Sequence, residues 1–134
     1  MKVPLPTVYT DLDRVTDRIS QQTRTIAVGV LALVWLFLAG GDKAPVLPHK
    51  VNLVVLLLTG GAALMALVFD YLQYLAAYWD SRKLKEEAER EGSKEVEYDC
   101  STRLYRARTF SFRAKQVLTL LSVGLLLAGV INAL

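Results

Sequence analysis

Three long stretches without a charged residue constrain this chain more than anything else in it. They run from Thr25 to Gly41, from Val51 to Phe69 and from Gln116 to Leu134, which is 17, 19 and 19 residues. A helix of roughly 20 apolar residues crosses a bilayer core of about 30 Å. The first stretch is short and gains reach from its flanks or from local thinning of the bilayer. The competing reading is three buried helices of a soluble protein, but a domain of 134 residues rarely carries three helices that are apolar all round. A signal peptide does not fit the first stretch either. It follows an acidic and polar segment, and no small-residue cleavage pattern comes after it. The expected fold class is all-α: a three-span transmembrane helical protein with long helical cytoplasmic extensions.

Charge then sets the expected topology. Four Lys or Arg precede the first span (Lys2, Arg14, Arg18, Arg24), two lie between spans one and two (Lys43, Lys50), and ten lie between spans two and three, from Arg82 to Lys115. The positive-inside bias puts the amino terminus in the cytoplasm and the carboxyl terminus outside, in the inner (plasma) membrane. Trp35 and Phe37 mark the outer end of span one. Tyr71, Tyr74, Tyr78 and Trp79 form an aromatic belt at the inner end of span two.

The chain divides into a cytoplasmic leader and amphipathic helix at 1–23, span one at 24–41, an outer loop at 42–50, span two at 51–79, a cytoplasmic stalk and basic segment at 80–113, and span three at 114–134. Pro4 and Pro6 predict an extended leader over 1–7, with Thr7 or Thr10 capping the first helix. Val8, Leu12, Val15 and Ile19 then make a narrow apolar stripe. It suits a partner helix or the headgroup layer equally. Gly40, Gly41, Pro45 and Pro48 predict a tight outer turn. Span two continues without a breaker through Asp80–Glu91, supported by pairs four apart such as Lys83 with Glu87 and Glu86 with Arg90, until Gly92 stops it. That is one helix roughly 60 Å long. Residues 94–101 read as a connector or short strand, and Ser101 or Thr102 as the cap of the last helix.

Polarity in the spans is not scattered. Asn52, Thr59, Ala66, Gln73 and Asp80 recur every seven residues on span two, interleaved with Ala63, Asp70 and Ala77. Span three carries Lys115, Thr119, Ser122, Gly129 and Ala133 in the same manner. In lipid such stripes face protein or water. Asn52, Thr59, Ala66, Asp70, Gln73, Thr119 and Ser122 are therefore candidate pore-lining or helix-interface residues. Span one is the plainest and is expected to face lipid. Asp70 is the acidic residue at membrane depth; an ion pair with Lys115 or Arg24, hydration among the headgroups, and a ring of carboxylates at a cation pathway are all open to it. Arg103, Arg106, Arg108, Arg113 and Lys115, interleaved with aromatics, are candidates for an anionic ligand or for lipid headgroups.

No catalytic constellation stands out. The single His, His49, lies in the outer loop away from the acidic segments, and the glycine pairs lack the flanks of a phosphate loop. The one cysteine, Cys100, has no intramolecular disulfide partner. The chain is expected not to be an enzyme, with no metal site and no cofactor.

The run from Asp13 through Arg14-Val-Thr-Asp-Arg-Ile-Ser-Gln-Gln-Thr-Arg to Trp35 resembles the entry into the first span of small multi-span membrane effectors of bacterial antiviral defence systems. There a short polar helix leads directly into an apolar span. The resemblance implies a homo-oligomeric, channel-like or membrane-disrupting effector, controlled from its cytoplasmic side by a regulatory protein, a nucleotide or a nucleic acid. The residues alone also accommodate a non-conducting partner or assembly subunit of a larger membrane complex, for which the same stripes are packing surfaces. A phage-type holin has the size and spans but seldom so long a cytoplasmic helix.

Overall fold

The computed structural model describes residues 5–39, 50–92 and 103–134. They form three helices: α1 (Leu5–Ala39), α2 (Leu53–Glu91) and α3 (Arg103–Ala133). All three are long and apolar enough to cross a membrane, and the chain is read as a multi-pass membrane protein. The expected outer turn around Gly40 and Pro45, the connector at 94–101 and the caps at Ser101 or Thr102 lie outside the described residues.

Helix α1 starts earlier than the prolines suggest. It includes Leu5 and Pro6, so residues 5–7 are not extended and neither Thr7 nor Thr10 is its cap. The N–H groups of a first turn have no partner inside the helix, so Pro6 forfeits no hydrogen bond there. Helix α2 is better delimited. The Asn52 side chain accepts a hydrogen bond from the Val54 N–H at 2.8 Å, and Gly92 closes the helix at φ 61°. A left-handed residue releases the last carbonyls from the helical path, which suits glycine. The ion pairs of the α2 extension are Arg82–Glu86 at 3.1 Å and Lys85–Glu89 at 3.8 Å, rather than Lys83–Glu87 and Glu86–Arg90. The spacing of four is kept and the register differs.

Each helix buries one narrow seam. On α1 it is Ser20, Thr23, Ala27, Val30 and Val34; on α2 it is Leu56, Thr59, Ala63, Ala66, Asp70 and Gln73. On α3 it is Ser111, Lys115, Thr119, Ser122, Leu126, Gly129 and Ala133. Steps of three and four are those of a left-handed bundle with side chains interdigitated along a seam. The contents are inverted relative to a soluble protein: small and polar residues are inside, while Trp35, Leu120, Ile131 and Val54 are more than half exposed. Large apolar side chains gain nothing from leaving lipid, so bundle interfaces select small residues that permit close backbone approach. This inversion supports the membrane reading independently of length and hydropathy.

Span one therefore does not simply face lipid, as its plain composition suggests. Its seam rests against α2 and, to a lesser extent, α3, while α2 and α3 form the closest pair. Register follows from contacts between the helices. Arg24 of α1 reaches Asp70 of α2, and Val34 of α1 lies against Gly60 of α2, where a Cβ would stand 3.3 Å from Val34 Cγ1. Advancing along α1 thus means retreating by the same distance along α2, and the two run antiparallel. Phe69 with Phe110 at one end, and Val51 and Val55 with Gly129 at the other, set α2 antiparallel to α3 in turn.

Candidate functional site

Arg24 immediately precedes the first uncharged stretch, Asp70 immediately follows the second, and Lys115 immediately precedes the third. In an up-down-up bundle these three borders fall at one level. The seam positions turn Asp70 and Lys115 inward, and the charges meet.

Lys115 Nζ donates to Asp70 Oδ1 at 2.5 Å and to Ser20 Oγ at 2.7 Å. Arg24 donates from Nε to Asp70 Oδ2 at 2.9 Å, and its Nη2 lies 2.7 Å from the same oxygen. One carboxylate therefore receives a cation on each oxygen, and all three helices join at this layer. The Lys115 side chain is fully enclosed, that of Asp70 is 6% exposed, and that of Arg24 is 49% exposed. The Lys115 ammonium also lies 5.3 Å from the centre of the Phe112 ring and 5.8 Å from that of Tyr74, within the range of cation–π attraction. The Arg24 guanidinium stands 5.5 Å from Tyr74.

Both charges of the buried pair have lost their water, and only this geometry makes that tolerable. A carboxylate or ammonium isolated in a low-dielectric interior is worth several kcal/mol of penalty, whereas short charge-assisted hydrogen bonds on every side offset most of it. Of the pairings open to Asp70, the structure makes both, with Lys115 and with Arg24.

The other candidate residues sort by the seams. Thr59, Ala66, Gln73, Thr119 and Ser122 are buried between the helices of a single chain. The Thr59 hydroxyl donates to the Val55 carbonyl, Thr119 to Lys115 and Ser122 to Thr119, all at 2.7 to 2.8 Å. Back-bonding to the preceding turn satisfies a hydroxyl without a partner helix, which lets it sit in a dry seam. Gln73, one turn from Asp70, is 4% exposed, and its Oε1 lacks a partner among the described residues.

Asn52 is exposed, and its amide oxygen accepts from the Val54 N–H just before the helix. One assignment needs correction. Lys115 does not join the basic group that meets anions from outside, because it is enclosed against Asp70 and Ser20. Arg103, Arg106 and Arg113 are exposed and Arg108 is half-buried. Sequence reasoning missed Ser20, Thr23 and Ser111. The signal was present on α1, where Ser20, Thr23, Ala27, Val30 and Val34 already step by three and four.

No protein-family model, no curated protein and no solved structure matches this chain.

Proposed function

We propose that this chain is a non-conducting membrane subunit, which assembles with a partner or with further copies through helices that project from the charged end of its bundle. The observation that carries this reading is the use of the polar stripes. Thr59, Asp70, Gln73, Lys115, Thr119 and Ser122 are turned toward each other inside one chain. A channel formed by several copies needs such residues on an outer surface, where they face a common axis. The outer surface carries Trp35, Leu57, Leu120 and Ile131 instead.

In this reading the charged end lies in the cytoplasm, following the positive-inside bias, and the membrane is the plasma membrane. The α2 extension beyond Trp79 is an exposed, salt-bridged helix that gives a partner a rigid handle. The channel-like effector implied by the resemblance needs the bundle to open and turn its seams outward.

The test joins two measurements on the full chain. Ion flux into liposomes containing purified protein is expected to stay at the protein-free level. Flux that Thr59→Leu abolishes sinks the proposal and restores the channel. In cells, a photo-reactive side chain in place of Lys83 is expected to give one discrete heavier adduct. Loss of that adduct under every growth condition removes the assembly role.

A further inference from the structure

Positive charge is concentrated on one helix. Helix α3 carries five of the chain's 16 Lys and Arg and none of its 13 Asp and Glu; the last acid in the sequence is Asp99. The net charge of +3 therefore belongs to α3, and the rest of the chain is slightly acidic. The other two helices mix the signs. On α2 Arg82 meets Glu86 and Lys85 meets Glu89, and on α1 Asp13 and Asp17 interleave with Arg14 and Arg18. Among the described residues no carboxylate pairs with Arg106 or Arg113.

The helix sets where these two arginines stand. Arg106, Phe110, Arg113, Val117 and Leu120 step by four, three, four and three, and all five are exposed. Those steps hold them on one side of α3, about half a turn from the seam that buries Ser111, Lys115, Thr119 and Ser122. Lys115 is the last charged residue before the third uncharged stretch. Arg113 precedes it by two residues, about 3 Å along the axis. The outward line therefore changes character at the border of the span, apolar at Val117 and Leu120 and cationic at Arg113. Phe110 stands between the two arginines, its ring 6.0 Å from that of Phe69 on α2 in an edge-to-face contact.

We propose that this outward face of α3 binds an anionic phospholipid at the charged end of the bundle. The planar Arg113 guanidinium donates to the phosphodiester oxygens, a geometry that suits its fork of N–H groups. An acyl chain runs along Val117 and Leu120, and Phe110 lies at the level of the headgroups. Arg106, about 10 Å further out, adds attraction within a Debye length of the surface. The occupant is a lipid because the line is continuous: the side of α3 that turns Val117 and Leu120 to acyl chains turns Arg113 to the headgroups one helical turn later. The absence of any acid on α3 gives the face its preference for negative over zwitterionic headgroups. This site is independent of whether the chain conducts or assembles.

Native mass spectrometry of the full chain in a neutral detergent tests it, with phosphatidylglycerol, phosphatidylcholine and inorganic phosphate titrated separately. Phosphatidylglycerol is expected to be held about fivefold more tightly than phosphatidylcholine, the contribution of one arginine near a membrane surface. Arg113→Gln is expected to remove that preference, Arg106→Gln to lower it and Arg113→Lys to keep most of it. Arg14→Gln is the matched control: it removes the same charge from an exposed position on α1 and is expected to leave the preference unchanged. Equal retention of the two lipids by the unaltered chain overturns the proposal, and so does a loss in Arg14→Gln as large as that in Arg113→Gln. Displacement of phosphatidylglycerol by millimolar inorganic phosphate overturns it by assigning the face to free phosphate. A dimer in lipid-free detergent that Arg113→Gln dissociates overturns it by making the face a contact between copies.

Discussion

The two ends of this bundle are held together by different physics. At the charged end Asp70, Lys115, Arg24 and Ser20 join all three helices through directional contacts of 2.5 to 2.9 Å. At the other end no polar side-chain contact joins the helices among the described residues. Val34 packs on the bare backbone at Gly60, and Val51 and Val55 on that at Gly129, where a Cβ would stand 3.0 Å from Val55 Cγ1. The first end is specified by charge and tolerates little change of chemistry. The second is specified by shape and tolerates little change of volume. In lipid, where burial of apolar surface gives no net drive to helix association, both devices are needed: close approach supplies dispersion, and the polar layer fixes register.

Breaking the charged end is expected to cost most. Asp70→Leu leaves the enclosed Lys115 ammonium without a counter-charge, a loss of about 3–5 kcal/mol for a buried pair with one partner removed. Reversible unfolding in mixed micelles measures it. Lys115→Leu is expected to cost less, since Asp70 keeps Arg24. The pair Asp70→Leu with Lys115→Leu is expected to recover most of the single loss. A double variant as unstable as Asp70→Leu contradicts the assignment of the cost to an orphaned charge.

The shape-held end comes next. Gly129→Val forces Val51 and Val55 away from α3 and is expected to cost about 1–3 kcal/mol, the usual range for overpacking. Gly60→Ala meets only the Val34 side chain at 3.3 Å, so its effect on the same unfolding curve is expected to be smaller. Gly124→Ala is the control. Nothing lies within 4 Å of the added carbon, and no loss is expected. If Gly124→Ala destabilises as much as Gly129→Val, close approach is not what holds this end.

The smallest effect belongs outside both regions. Arg82→Ala on the exposed α2 extension removes a surface pair with Glu86 and is expected to shift stability by about 0.2–0.5 kcal/mol, less at high salt. Circular dichroism of the variant at two salt concentrations reads it.

Much of this was legible in the residues. The three uncharged stretches gave the number of helices, and the steps of three and four on α2 and α3 marked the faces that became seams. Asp70 stood out because a carboxylate at that depth requires a partner. Two things were not legible. The seam of α1 is made of Ser, Thr, Ala and Val in a segment apolar throughout, so hydropathy does not separate its buried side from its exposed one. Whether a polar stripe faces a helix of its own chain or a neighbouring copy is the same pattern on paper.

Residue spacing and hydropathy thus determined which sides of α2 and α3 avoid lipid, since the cost of exposing a polar atom there depends on the local segment alone. The assignment of partners belongs to the fold. Arg24, Asp70 and Lys115 are separated by 46 and 45 positions in the chain. They become neighbours only because antiparallel packing carries the borders of three spans to one level. At that level both cations converge on one carboxylate, which turns three separate penalties into a single satisfied layer.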